Sequence, residues 1–170
     1  WLHIASVGEA MSIIPLIENC INNKNINRIL LTSITLSSGK ILEKKYNKNE
    51  KIIHQYLPLD IPILVKKFLN HWKPNLSVFI DSEIWPNLIL ETNKKKIPLV
   101  LLNARITKKT YTRWKLAKNF AKKIFGKFDL CIASNKESEN FLHNLGAKNI
   151  KNFGNLKFSS IKNNIIEELD

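Results

Sequence analysis

Short apolar runs alternate along the chain with longer segments whose apolar residues recur every three or four positions. That alternation predicts an α/β domain, a parallel sheet with helices on both faces. The runs fall at Leu2 to Ser6, Arg28 to Ser33, Ile52 to Leu57, Leu76 to Asp81, Leu99 to Asn103, Leu130 to Ser134 and, more weakly, Ile150 to Phe153. Six or seven such strands suit a Rossmann-like sheet. Between them, Ile61, Leu64, Val65, Phe68, Leu69 and Trp72 share one helical stripe, with Lys66, Lys67 and Lys73 off it. Trp114, Ala117, Phe120, Ala121, Ile124 and Phe125 share another, and both stripes read as core. Pro15 complicates the first helix, because an interior proline costs ~3 kcal/mol; a start near Ser12 as N-cap avoids that cost. In either arrangement Gly8 and Glu9 lie in the strand-to-helix turn or the first helical turn.

Length sets the scale. A chain of 170 residues holds one compact domain and not two. No repeat, low-complexity tract or Pro/Gly-rich linker divides it. The pattern fades after Phe158, so residues 1–158 are expected to form the domain and residues 159–170 its exit segment. Because the chain opens at Trp1 inside an apolar run, it is expected to be a piece of a longer protein.

Candidate chemistry concentrates in two acidic turns, Ser6-Val7-Gly8-Glu9 and Asp81-Ser82-Glu83-Ile84-Trp85-Pro86-Asn87. Each follows an apolar run and opens a helix, which places two carboxylates at the carboxyl ends of parallel strands, where open α/β sheets hold ligands. Gly8 allows close backbone approach to a ligand. A helix N-terminus favours the ionised form of Glu9, which suits a base; a first-turn glutamate that only complements the helix dipole is the alternative. Pro86 fits the early positions of a helix.

The formal net charge is +13, with 27 Lys plus Arg against 14 Asp plus Glu, and favours anionic partners. Lys, Asn and Ile are all abundant, and such a compositional bias is the alternative explanation of the charge. Only Arg28, Arg105 and Arg113 are arginines, which argues against base-specific DNA reading. Cys20 and Cys131 are isolated, as in a reducing compartment. His3, His54, His71 and His143 have no metal-ligand spacing, so neither a metal nor another cofactor is expected. The first turn lacks a G-x-G-x-x-G dinucleotide fingerprint, and no phosphate-binding GxxxxGK[ST] loop occurs. No apolar stretch reaches the ~18 residues of a membrane span.

Four motifs in register resemble one family. SVGE at residues 6–9, SEIWPN at 82–87, LNAR at 102–105 and GNLKF at 154–158 are together similar to the N-terminal half of the 3-deoxy-D-manno-octulosonic acid (Kdo) transferases, inverting enzymes of lipopolysaccharide synthesis. Members more often carry Thr-Glu-Leu-Trp where this chain has Ser82-Glu83-Ile84-Trp85.

The resemblance implies a GT-B fold, with this chain as the acceptor-side domain and a CMP-Kdo-binding domain after residue 170. It implies Glu9 as the general base, with Glu83 and Lys157 stabilising the transition state. Outside the GNLKF context Lys157 would read as a solvated lysine. Gly8, Ser82, Arg105 and Asn155 become candidate substrate contacts, Arg105 either gripping an acceptor phosphate through its planar fork or making a structural salt bridge. The basic and aromatic run from Lys108 to Lys115, continued by Lys118, Lys122, Lys123 and Lys127, suits a phosphorylated lipid acceptor and an anionic bilayer, or a solvated helix face. The implied partners are CMP-Kdo, a lipid A precursor and the cytoplasmic face of the inner membrane, with peripheral attachment and no nucleic acid. A basic nucleic-acid-binding α/β module, and a GT-B transferase with another acceptor, are the alternatives.

Overall fold

In the computed structural model, which describes residues 1–81 and 83–154, seven parallel strands form one sheet in the order β3-β2-β1-β4-β5-β6-β7. They are β1 (Leu2–Ile4), β2 (Ile29–Ser33), β3 (Ile52–Tyr56), β4 (Ser77–Ile80), β5 (Leu99–Ala104), β6 (Leu130–Ala133) and β7 (Ile150–Asn152). Every expected run is a strand, trimmed by a residue or two at its ends except β5, which runs one residue further, to Ala104. The chain winds outward from β1 to β3, crosses back to β4 beside β1, and winds outward again, a doubly wound Rossmann-like order. That reversal makes β1 and β4 neighbours although about 75 residues separate them, with Leu2 opposite Val78 and His3 opposite Phe79.

Alternation within the strands divides the core between the two faces of the sheet. Leu2, Ile4, Leu31, Val78 and Ile80 pack on one side with Ala10, Ile13, Ile17 and Leu42. Trp1, Leu30, Phe79 and Leu101 belong to the other side, with Val65, Phe68, Leu69, Ile89 and Phe125. A period of two in strands buried on both faces yields this without further instruction.

Two helical expectations are corrected. The first connection is two helices, α1 (Val7–Ser12) and α2 (Ile14–Asn22), meeting at Ile13. Pro15 sits in the first turn of α2, where a missing N–H costs nothing. Ser12 is therefore no N-cap: it is the last residue of α1, and its hydroxyl donates to the Glu9 carbonyl at 2.8 Å.

After α3 (Leu36–Tyr46), α4 (Pro62–Trp72) and α5 (Pro86–Lys94), the stripe from Trp114 to Phe125 is also broken, into α6 (Lys108–Leu116) and α7 (Lys118–Phe125). In one straight helix Trp114 and Phe125 would stand ~16 Å apart along the axis. Their rings are 5.2 Å apart, edge to face, because the chain turns at Ala117. The last helix, α8 (Lys136–Leu145), stops at Gly146, whose φ of 102° is left-handed. Both apolar stripes are narrower than expected. Val65, Phe68 and Leu69 are buried, but Ile61, Leu64 and Phe120 are exposed.

Candidate functional site at the carboxyl edge

At the end of β1 the sequence Ser6-x-x-Glu9 is a capping box. Ser6 is the N-cap of α1, and its hydroxyl accepts the Glu9 N–H at 3.3 Å. The Glu9 carboxylate turns back, taking the Ala5 N–H on Oε2 and the Ser6 O–H on Oε1, each at 2.8 Å. These bonds fold the side chain inward until Glu9 is only 7% exposed.

Burial raises the Glu9 carboxyl above its ordinary 4.5. The Ala5 and Ser6 bonds oppose that shift, and the charges of Glu83 and Asp81 add to it. The expectation that the helix terminus leaves Glu9 more readily ionised is thus reversed. Helix α1 has only six residues, and desolvation with two neighbouring carboxylates outweighs its field. A carboxylate with a raised pKa is the stronger base.

The second acidic turn leaves β4 next door. Asp81 closes the strand at φ 62°, a left-handed conformation costly for a side chain with Cβ, and Asn103 does the same at the end of β5 with φ 56°. Asp81 and Asn103 both have polar partners. Backbone strain of this kind collects at functional sites. Beyond Asp81 the Glu83 carboxylate takes the Trp85 indole N–H on Oε2 at 2.8 Å, while His3 Nε2 lies 3.8 Å from the same oxygen. Trp85 both bonds Glu83 and packs on the core.

Helix α5 starts without a side-chain cap of its own. Asp60, on the connection after β3, supplies one from a distance: Oδ1 accepts the Leu88 N–H at 2.8 Å, and Oδ2 accepts the Asn87 N–H at 3.1 Å. The Asn87 side-chain amide donates back to the Asp60 carbonyl at 2.6 Å. One loop carboxylate therefore fixes the helix that carries Glu83 and Trp85 on its leading turn.

Of the expected site residues, the structure brings Glu9 and Glu83 together. Gly8 is exposed in the first turn of α1. Arg105 is exposed just past β5 and makes no ion pair among the described residues, which leaves its guanidinium open to a ligand. Ser82, Asn155 and Lys157 lie outside the described residues. Cys131 is buried and its thiol pushed up to about 12, so it remains a protonated core residue.

Sequence reading passed over Asp60, His3 and Thr32. Its available signal for His3 was a polar residue on an inward position of a strand flanked by Leu2 and Ile4. It also passed over a line from Ser33 Oγ to His54 Nε2 (2.9 Å) and from His54 Nδ1 to Glu43 (3.0 Å). Those are nucleophile-triad distances, but Ser33 is fully buried, so the line serves to tie α3 to β2 and β3. A cavity of about 640 Å³ is lined by Trp1, Asn25, Leu30, Trp72 and Leu76 toward the amino ends of the strands, away from these carboxylates.

Comparison with known proteins bears on this edge. Residues 1–160 match the family described as 3-Deoxy-D-manno-octulosonic-acid transferase (kdotransferase). The 3-deoxy-D-manno-octulosonic acid transferase of Rickettsia bellii is 41% identical over 162 residues, covering 95% of this chain and 38% of the relative. That of Rickettsia felis is 40% identical over 162 residues, covering 95% and 34%. The chain thus spans little more than a third of these relatives. Among solved structures, UDP-N-acetylglucosamine 2-epimerase from Rickettsia bellii superposes with a TM-score of 0.63 at 14% identity, over 99% of this chain and 48% of the epimerase; at that identity the likeness is one of fold.

Proposed function

The chain belongs to the 3-deoxy-D-manno-octulosonic acid transferase family, and from that premise we propose that it is the acceptor-side domain of a GT-B glycosyltransferase that moves Kdo from CMP-Kdo to a lipid A precursor, with inversion. The supporting observation is the meeting of Glu9 and Glu83 at the crossover between β1 and β4, where a doubly wound sheet opens its crevice. Glu9 takes the proton from the acceptor hydroxyl as that oxygen bonds to the anomeric carbon. The bond to the CMP phosphate breaks, and its electron pair leaves on the phosphate. No covalent sugar–enzyme intermediate is needed. Glu83 supports the reaction by shaping the surroundings of Glu9 or by binding the acceptor sugar. Arg105 holds an acceptor phosphate, and Lys157 offsets negative charge on the sugar carboxylate or the departing phosphate.

The test is direct. Full-length protein incubated with CMP-Kdo and a lipid A precursor yields a Kdo-modified lipid by mass spectrometry. Failure of that transfer, with transfer from another activated sugar instead, overturns the assignment of donor.

A lipid acceptor needs an apolar platform beside the base. Met11 on α1, Leu36 after β2, and Leu59 and Ile63 after β3 are exposed by 53%, 68%, 70% and 75%, on segments that leave the carboxyl ends of β1, β2 and β3. Leu116, between α6 and α7, is 86% exposed beside the lysines of those helices. No helix among the described residues is long and apolar enough to cross a membrane. We therefore assign this rim to the acyl region of a bilayer, with peripheral attachment at the cytoplasmic face of the inner membrane. Replacing Leu59 and Ile63 together by serine lowers partitioning onto anionic phosphatidylglycerol vesicles ~10-fold or more, since each buried side chain contributes about 1.5–3 kcal/mol. Unchanged co-sedimentation removes these residues from the membrane contact.

A further inference from the structure

We propose that His3 is a positioning residue for Glu83, the inner end of a hydrogen-bonded line that holds this carboxylate by one oxygen and turns the other toward the cleft. The proposal rests on the reading of Glu83 as part of the site. It begins with strand geometry. Alternation along β1 sends Trp1 and His3 to the same face of the sheet, and the register sets His3 directly beside Thr32 of β2. There Trp1 Nε1 and His3 Nδ1 lie 2.8 and 2.9 Å from Thr32 Oγ1.

The protons of this line follow from what each group can do. An indole N–H only donates, so the Trp1 bond uses a lone pair of the Thr32 oxygen. That oxygen has a second lone pair, so the Thr32–His3 bond fits either direction; we assign Nδ1 as the acceptor of the Thr32 O–H, because the ring proton on Nε2 then faces the Glu83 carboxylate. His3 is fully buried against Phe79, with ring centroids 5.4 Å apart, and Nε2 has no hydrogen-bond partner among the described residues. Its facing charge is Glu83 Oε2 at 3.8 Å.

A fully buried donor without a bond is costly, and it points at a half-buried carboxylate about 1 Å beyond hydrogen-bond length. Catalytic contacts commonly lengthen in the empty site and tighten when it is loaded. The Trp85 indole already donates to the same oxygen. Two donors therefore converge on Oε2, while Oε1 carries no hydrogen bond among the described residues. Once the His3 contact tightens to join the Trp85 bond, Glu83 cannot rotate freely, and its second oxygen stays available to the acceptor. The ionisable groups that act on one another here are Glu83, Glu9 and Asp81. A fixed Glu83 therefore also fixes the field at the base.

The experiment separates the two ring nitrogens by amide isosteres in the full-length protein. His3→Asn places its amide where Nδ1 was, within reach of Thr32 and out of reach of Glu83. His3→Gln extends its amide to the position of Nε2 and still donates to Glu83. The expected result is a kcat lowered ~10-fold or more in His3→Asn with acceptor KM within about twofold, and recovery to within about threefold in His3→Gln. In a Glu83→Leu background the cost of His3→Asn shrinks to less than about twofold, because leucine offers no oxygen for the ring N–H to reach.

Wild-type turnover in His3→Asn overturns the proposal. So do equal losses in both His3 variants, or a loss undiminished in the Glu83→Leu background. Glu83→Gln alone decides the underlying reading: wild-type turnover there removes Glu83 from the site and the proposal with it. A strong loss in Glu83→Gln, combined with an undiminished His3→Asn effect in the Glu83→Leu background, removes only His3. Should His3→Asn fail to fold, Thr32→Val gives the second route. Without the hydroxyl the ring proton distributes over both nitrogens, seen as a shift of the His3 ring 15N resonances, and kcat falls about threefold. A Thr32→Val protein with wild-type kcat and an unshifted ring signal overturns the assignment.

Discussion

Replacing Glu9 by glutamine lowers Kdo transfer by the full-length protein ~10²- to 10⁴-fold, the span that a general base supplies, and leaves the fold standing. Glutamine preserves the local bonds. Its carbonyl oxygen takes the Ala5 N–H, and its amide donates to the Ser6 oxygen, which currently gives its proton to Oε1. What disappears is the basic site, so kcat should collapse while the acceptor KM changes little. Steady-state kinetics at saturating CMP-Kdo make the measurement, and retained kcat removes Glu9 from the base role.

The same variant carries a stability signature with a definite sign. The Glu9 carboxyl is raised above 4.5 in the folded protein, so the folded state binds its proton more tightly than the unfolded state does. Stability from that group is present in full below about 4.5 and is lost as pH rises through the raised value. Glutamine does not titrate. Urea denaturation across that window should therefore show Glu9→Gln gaining on the wild type as pH increases. A difference that is flat with pH means that Glu9 titrates normally and that burial is not controlling it.

Removing the carboxylate of Asp60 has the second large effect. Asp60→Ala strips the start of α5 of two bonds to a charged acceptor, at 2.8 and 3.1 Å. Each such bond is worth about 1.5–3 kcal/mol, and the partial exposure of Asp60 reduces the total, so a loss of about 2–4 kcal/mol is expected. Turnover should fall as well, because Glu83 and Trp85 lie on the turn that this cap anchors. Asp60→Asn keeps one acceptor oxygen, and about half the stability loss is expected there. Thermal and urea unfolding measure both variants. A loss within ~0.5 kcal/mol in Asp60→Ala, the range of an ordinary surface change, rules out the cap.

The sheet was legible in the sequence because a parallel strand buried on both faces must be apolar for four or five residues in succession. Nothing else in a chain this rich in lysine looks like Leu76-Ser77-Val78-Phe79-Ile80. The two acidic turns were legible for a related reason. A strand that ends abruptly in Ser-Val-Gly-Glu or Asp-Ser-Glu has reached the edge of the core, and charge is admissible there. Helix continuity was less legible. Ala117 is a strong helix former, yet the chain turns there and brings Trp114 against Phe125. Likewise Ile61 and Leu64 fit an apolar stripe, yet the core is already full of Val65, Phe68 and Leu69, and the two remain outside.

The sequence by itself determined that this protein is a wound α/β domain with carboxylates at strand ends, since both properties follow from local periodicity and from where it stops. The tertiary structure alone decided that the strand ending at Ile4 lies beside the strand ending at Ile80, and so that Glu9 and Glu83 act on each other. It also decided that Glu9 is buried and its proton held more firmly, the reverse of what a helix terminus suggests. Only the fold could supply Asp60 to α5 and Thr32 to His3, because each bond joins residues 27 to 29 positions apart that meet only when the strands and helices pack. Local pattern reports which surfaces must leave water. Which of those surfaces meet is set by the strand order.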